Sequence, residues 1–255
     1  MRETACAKIN LALHVRARRD DGYHDIETLF AFCEDGDLLT AEESDTLSLR
    51  IIGPFAADLA AQRDNIVLKA ARALGAKAAL TLDKRLPVAA GLGGGSADAA
   101  AALRLLGGGG DVEAIAAPLG ADVPACLASR TARGTGRGDR VEPIGSEGLS
   151  GASVLLVNPR IPLATAAVFA MWDGEDCGPL RDWRDGRNDL EPAAIALVPE
   201  IAAVLAAFER AEVARMSGSG ATCFGLYADA AARDAEADRI AALHPDWWLL
   251  RTRLR

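Results

Sequence analysis

Apolar and polar positions alternate along residues 4–15 in the manner of a strand, and the run ends at the polar cluster Arg18-Arg19-Asp20-Asp21-Gly22, which has the composition of a turn. Tyr23 and His24 therefore fall just beyond that turn. Further strands are predicted over residues 27–34, 46–52 and 79–82. Ile66, Ala70, Ala73 and Leu74 recur at helical spacing, which predicts a helix over residues 65–74. After a loop carrying Lys84 and Pro87 and a run of glycines, residues 97–106 are almost all strong helix formers, and the glycines at 107–110 stop that helix.

The pattern then changes. Residues 112–118 read as a short helix, residues 121–127 carry an Asp-Val-Pro signal, and residues 130–139 read as an exposed, glycine-punctuated segment. Residues 146–151 are the best linker candidate. Beyond them come a compact buried strand at 154–157, a turn region at Pro159 and Pro162, a helix start at 165–172 and a polar loop at 173–187. Residues 191–209 read as helical, 223–227 as a strand after a Ser/Gly turn, 230–243 as a helix and 247–254 as a strand. The sum is an α+β chain with two lobes, expected at residues 1–150 and 151–255.

Composition narrows the class. Of 255 residues, 50% are hydrophobic and 25% charged, which is ordinary for a chain that folds throughout. The formal net charge of -8 speaks against a nucleic-acid partner, since a polyanion needs a dense basic surface. Cys6, Cys33, Cys126, Cys177 and Cys223 lie far apart, without the close pairing of a zinc site, and fit reduced thiols in the cytoplasm. The first apolar stretch, residues 9–15, is interrupted by Asn10 and His14, unlike a signal-peptide core; residues 192–208 are broken by Pro199 and Glu200, unlike a membrane span. A cytoplasmic protein off the membrane, a monomer or weak homodimer, is the expectation.

The chemistry centres on Gly91-Leu92-Gly93-Gly94-Gly95-Ser96, which leads straight into the alanine-rich helix. Without side chains there, backbone N–H groups can approach an anion that the helix dipole favours. The Gly-Lys-Ser/Thr ending of a P-loop is absent, and Ser96 stands where a dinucleotide fingerprint has glycine. Taken alone, the run serves equally well as a tight strand-to-helix turn with Ser96 as N-cap.

In its surroundings, Leu86-Pro87-Val88-Ala89-Ala90-Gly91-Leu92-Gly93-Gly94-Gly95-Ser96-Ala97-Asp98-Ala99, the run resembles the ATP-binding motif of the GHMP kinases, the family of galactokinase, homoserine kinase and mevalonate kinase. Ala89 and Ala90 depart from members with glycine there, and the chain is short around residues 173–187. Ala5-Cys6-Ala7-Lys8-Ile9-Asn10-Leu11, Gly120-Ala121-Asp122-Val123-Pro124 and Ser217-Gly218-Ser219-Gly220-Ala221-Thr222 resemble other family segments. Asp21-Gly22-Tyr23-His24-Asp25-Ile26-Glu27-Thr28 resembles the segment with which one branch recognises a cytidine diphosphate-linked polyol.

The resemblance implies a two-lobed GHMP kinase fold, with a ribosomal S5 domain 2-like N-terminal lobe and a ferredoxin-like C-terminal lobe, using ATP and Mg2+. It implies Lys8 and Asp122 as the catalytic pair, and Lys84, Pro87, Val88, Ala89, Ala90, Gly91, Leu92, Gly93, Gly94, Gly95, Ser96 and Ala97 at the nucleotide. No acidic residue stands out as a dedicated metal ligand; Ser96 is the candidate. Tyr23, His24 and Phe169 would hold the cytosine, Asn10, Thr165 and Asp122 would line the polyol, and Ser217, Gly218, Ser219 and Gly220 would close the site. Read without the resemblance, Lys8 is a solvated strand lysine, Lys84 a surface one, and Asp122 a cap on a short helix. Asn188-Asp189-Leu190-Glu191 reads as a helix entrance, with Asn or Asp capping. A kinase for another alcohol, of homoserine or mevalonate type, and a non-catalytic nucleotide-binding protein are the competing readings.

Overall fold

In the computed structural model, which describes residues 1–59, 65–108, 111–145 and 148–255, the first sheet grows from one long hairpin. Its arms are β1 (Arg2–Arg18) and β2 (His24–Glu43), both longer than the alternation alone marks. The turn between them is closed by the Arg19 N–H donating to the Tyr23 carbonyl at 2.8 Å, and Gly22 takes a φ of +83° there.

The N-terminal lobe continues with β3 (Ser48–Ile52), α1 (Ala56–Leu59), α2 (Ile66–Ala73), β4 (Ala78–Asp83), α3 (Gly94–Leu106), α4 (Val112–Leu119), α5 (Val123–Ala128), β5 (Ala132–Gly136) and β6 (Arg140–Pro143). The strand order is β3-β4-β2-β5-β6, with β1 against the other side of β2. In β4, Ala78, Leu80 and Leu82 are buried in alternation, the period-2 mark of a half-covered strand. What covers the sheet includes α3, whose Ala99, Ala100, Ala101 and Ala102 are fully buried; side chains this small let the helix lie close to its neighbours. The Asn65 side chain caps α2, accepting the Val67 N–H at 2.8 Å.

The C-terminal lobe comprises β7 (Ser153–Asn158), α6 (Thr165–Ala170), α7 (Glu191–Leu197), α8 (Glu200–Ala206), β8 (Val213–Met216), β9 (Cys223–Tyr227), α9 (Ala230–Leu243) and β10 (Trp248–Arg253), with an antiparallel sheet in the order β10-β7-β9-β8. The two lobes share a core: Ala7, Ile9 and Leu11 of β1 cluster with Val154 and Leu156 of β7 and Phe224 and Leu226 of β9. The chain end ties them further, as Leu254 bridges to Cys33 and the Arg255 N–H donates to the Phe32 carbonyl at 3.0 Å.

The α+β two-lobed architecture agrees with the sequence pattern, and four local expectations do not. Residues 130–139 are not an exposed segment but hold β5, paired with both β2 and β6; Gly134 and Gly136 hide its pattern, and Gly134 is glycine because a side chain there would meet the Phe30 ring at 2.5 Å. The helical stretch at 191–209 is split, because Pro199 keeps Val198 out of the helical region, at φ -135° and ψ 86°. Helix α3 starts at Gly94, with Gly93 rather than Ser96 as N-cap. Leu190, not Asn188 or Asp189, is the N-cap of α7. Of the expected linker at 146–151, residues 146 and 147 lie outside the described residues, as do 109 and 110 of the glycine stop.

Candidate active site

One edge of β1 pairs with β2; its other edge collects the segments singled out in the sequence. Lys8 N–H donates to the Leu92 carbonyl at 2.9 Å, Asn10 N–H to the Ser217 hydroxyl at 3.2 Å and Leu13 N–H to the Arg187 carbonyl at 2.8 Å. Asp189 N–H donates to the Leu13 carbonyl at 2.9 Å, and its carboxylate accepts the Val15 N–H at 2.8 Å. The glycine loop, the Ser217 turn and residues 187–189 are thus hung side by side on a single strand. A cavity of about 1050 Å³ opens along them.

The loop and turn fit together because the loop carries no side chain where the two meet. A Cβ on Gly91 would sit 2.2 Å from the Ser217 carbonyl oxygen, and one on Gly93 would sit 2.9 Å from Cε of Lys8. Gly91 and Gly93 also have φ of +75° and +61°. Ser217 Oγ donates to the Gly91 carbonyl at 2.8 Å while accepting from Asn10. Asn188 secures the turn from below, its amide donating to the Met216 and Gly218 carbonyls, each at 2.8 Å. This is the function of the Asn188 segment that its helix-entrance reading missed. The N-terminus of α3 has no side-chain cap, and its first residues, Gly94, Gly95 and Ser96, line the cavity, where the free N–H groups of a helix start can hold an anion.

Beneath the cradle lies a buried charge cluster. Lys84 is not at the surface: its Nζ is 2.5 Å from Asp37 Oδ2 and 2.7 Å from Asp98 Oδ2, and all three residues are buried. Asp37 Oδ1 also accepts the N–H groups of Arg85 at 2.6 Å and Leu86 at 2.8 Å. Burial would depress the Lys84 pKa, but Asp98 and Asp37 outweigh it and hold the ammonium above its usual range. Burial pushes the Asp98 carboxyl up to about 8, with Lys84 opposing and Asp37 adding to the rise. The cluster joins β2, the end of β4 and α3, and so forms the floor on which the glycine loop rests.

At mid-cavity, Lys8 Nζ lies 3.0 Å from Asp122 Oδ2 and 3.1 Å from Asn10 Oδ1. Asn10 is itself held, its amide donating to the Thr28 hydroxyl at 2.8 Å. Asp122 stands at the N-cap position of α5 yet makes no capping bond; its carboxylate is turned to Lys8 instead. Lys8 is buried, whereas the Asp122 side chain is 35% exposed on the cavity side. A carboxylate open to a ligand beside a sheltered ammonium can take a proton while charge builds next to it.

The far end is aromatic. The His24 ring stacks obliquely on Phe169, centroids 4.9 Å apart, and meets Trp172 edge-on at 5.6 Å. Tyr23 is 55% exposed, with the Arg137 guanidinium 4.8 Å over its ring and Arg137 pinned to Asp139 at 2.9 Å. Thr165 and Ser219 share a hydrogen bond of 2.9 Å at the rim.

The cavity wall includes Lys8, Asn10, Tyr23, His24, Lys84, Pro87, Val88, Ala89, Ala90, Gly91, Gly93, Gly94, Gly95, Ser96, Asp122, Thr165, Phe169, Gly218 and Ser219. Four other expected positions stand behind it. Leu92 and Ala97 are core residues, Ser217 acts through its bonds to Asn10 and Gly91, and Gly220 packs on Met216. Arg18, Asn65, Ile66, Asp98 and Arg137 line the cavity without having been expected there. Asp98, two residues past Ser96 at the head of an alanine-rich run, is the one of these that the sequence made conspicuous.

Known proteins resemble this chain along its whole length. Residues 65–130 match the GHMP kinases N terminal domain model and residues 179–246 the GHMP kinases C terminal model. A 4-diphosphocytidyl-2-C-methyl-D-erythritol kinase of Rhizorhabdus wittichii is 54% identical, covering 99% of this chain and 94% of the relative. One from Novosphingobium aromaticivorans is also 54% identical, covering 100% of this chain and 93% of the relative. A crystal structure of a 4-(cytidine 5'-diphospho)-2C-methyl-D-erythritol kinase superposes with a TM-score of 0.84 at 32% identity, covering 100% of this chain and 99% of that one.

Proposed function

This chain belongs to the GHMP kinases, and from that membership we propose that it transfers the γ-phosphate of ATP to the 2-hydroxyl of 4-diphosphocytidyl-2-C-methyl-D-erythritol, a step of the non-mevalonate isoprenoid route. The observation that carries the reading is the placing of the Lys8–Asp122 pair in one cavity, between an anion cradle and the aromatic end at Tyr23, His24 and Phe169. A homoserine or mevalonate has no base for that end to hold.

In this reading the glycine loop and the start of α3 hold the nucleotide phosphates, and the substrate lies across Asn10 and Thr165. Its hydroxyl oxygen attacks the γ-phosphorus as the bond to the β–γ bridging oxygen breaks, ADP leaves with that electron pair, and Asp122 takes the hydroxyl proton. Lys8 offsets negative charge near the transferring group, and its burial keeps water from weakening that interaction. The base stacks against the aromatic end, where contact of this kind is worth about 1–3 kcal/mol.

No group of three or more His, Cys, Asp or Glu that could hold a metal ion occurs among the described residues. Such a wall suits Mg2+ carried by nucleotide phosphates and water, with Ser96 as the protein donor, rather than a dedicated protein cage. When bound, the ion neutralises phosphate charge.

No helix among the described residues is long and apolar enough to cross a membrane. We place the enzyme in the cytoplasm as a monomer or weak homodimer, with an ATP-binding domain at 1–150 and a C-terminal domain at 151–255. The test is ADP release by the purified protein with ATP, Mg2+ and a panel of alcohols. Turnover of the cytidylyl polyol is expected, and turnover of mevalonate or homoserine in its place would overturn the reading.

A further inference from the structure

The hairpin that presents Tyr23 and His24 also fixes a contact with no assigned purpose. The register of β1 on β2 sets Arg18 opposite His24 in the last pair before the turn, with Arg18 Nε 3.4 Å from His24 Nε2. A guanidinium has only donors, so Nε2 must accept, and a neutral imidazole that accepts at Nε2 carries its hydrogen on Nδ1. Burial, with the Arg18 charge adding, holds the His24 pKa below 6.5 and favours the neutral ring. Packing against Phe169 and Trp172 opposes the half-turn of the ring that would put Cε1 in the place of Nε2.

His24 Nδ1 makes no hydrogen bond to the described protein, and it is not among the buried side-chain atoms that lack one. The residue lines the cavity beside Tyr23. What it offers a ligand is therefore a donor of defined position. Cytosine carries an acceptor at N3, whereas uracil carries an N–H there.

We propose that Arg18 is a positioning residue that fixes His24 as the Nδ1–H tautomer, so that the pocket accepts the N3 edge of cytosine and rejects that of uracil. The inference rests on the reading that a cytidine-bearing substrate binds at this end. A donor facing a donor loses one hydrogen bond and leaves two groups unpaired, which corresponds to about a 10- to 100-fold preference.

Two measurements test it. The chain has three histidines, His14, His24 and His244, so long-range 15N–1H spectra of the 15N-histidine protein, with His24→Gln for assignment, read the tautomer directly. The wild type is expected to show a protonated Nδ1 at His24, and Arg18→Met to shift it toward Nε2–H, the form a free imidazole prefers. An Nε2–H tautomer in the wild type would overturn the proposal whatever the substrate is. Calorimetric titration with CDP and UDP is the second measurement. CDP is expected to bind about 10- to 100-fold more tightly to the wild type, Arg18→Met to bring the two within about threefold, and Arg18→Lys, which also can only donate, to restore part of the difference.

If Arg18→Met weakens CDP and UDP by the same factor, Arg18 is a phosphate contact and the tautomer argument is wrong, while the kinase reading stands. If the wild type binds neither, the cytidine reading fails and the selectivity claim fails with it; the spectra still decide the tautomer.

Discussion

Lys8 and Asp122 face each other across 3.0 Å, the lysine sheltered and the aspartate open to the cavity. The asymmetry matches a division of labour in which the exposed group exchanges a proton and the sheltered one keeps its charge. Asp122→Asn is therefore expected to lower kcat by about 10²- to 10⁴-fold, the usual contribution of a positioned base. ATP affinity, measured by equilibrium titration, should change little, because the anion cradle is built from other residues. Retention of full turnover would remove Asp122 from the chemistry.

The three-membered cluster under the loop makes a prediction about stability. Asp37 uses both oxygens, on Lys84 and on two backbone N–H groups, whereas Asp98 leaves Oδ1 without a partner and has its pKa pushed up to about 8. Both substitutions take a carboxylate from Lys84, but Asp37→Asn also disturbs the bonds from the Arg85 and Leu86 N–H groups. Asp37→Asn should cost about 3–5 kcal/mol and Asp98→Asn less. Urea midpoints of the two variants at pH 7 would reveal the difference; equal losses would contradict it.

Arg137 rests on an exposed tyrosine, where a cation–π contact is worth about 0.5–1 kcal/mol. Arg137→Leu should raise KM for the cytidylyl substrate by about 2- to 5-fold and leave KM for ATP unchanged. In a Tyr23→Leu background the same substitution should have no further effect, which steady-state kinetics of the double variant can check.

His14 supplies a pH dependence. Its Nδ1 donates to the Gly178 carbonyl at 3.0 Å and its Nε2 accepts the Arg187 N–H at 3.4 Å, an arrangement only the neutral ring can make. Burial outweighs the Gly178 bond and holds its pKa below 6.5. The unfolded chain then binds the proton more readily than the folded one, so the contribution is complete above about pH 6.5 and is lost as pH falls through the lowered folded value. Relative to His14→Gln, the wild-type denaturation midpoint should be constant from pH 8 to about 6.5 and fall toward pH 5. His24, shifted the same way, adds a decline of the same sign.

The glycine cradle was legible only in company: a loop without side chains before a helix can offer N–H groups to an anion, but the same run serves equally well as a tight turn until the segments around it are read with it. Lys8, Asp122, Tyr23 and His24 became candidates only through resemblance, since nothing about an isolated lysine in a strand says that it is buried. The Lys84 cluster and the Arg18 and Arg137 contacts were illegible for a physical reason. Lys84 meets Asp37 from 47 positions away through the pairing of two strands, and Arg137 reaches Tyr23 only once β5 has paired with β2. β5 itself was hidden by its glycines, of which Gly134 makes room for the Phe30 ring.

The edge of β1 has a consequence for how the protein is made. Lys8, Asn10 and Val15 are made long before some of their partners: Asn10 must wait for a hydroxyl 207 positions later and Val15 for a carboxylate 174 positions later. Domains tend to fold in the order of synthesis, so until those partners are made the growing chain carries an open strand edge beside the proposed catalytic lysine. The proposed site is completed only when residues 187–189 and the Ser217 turn arrive to close that edge, and a chain cut before them gains neither the site nor the protection.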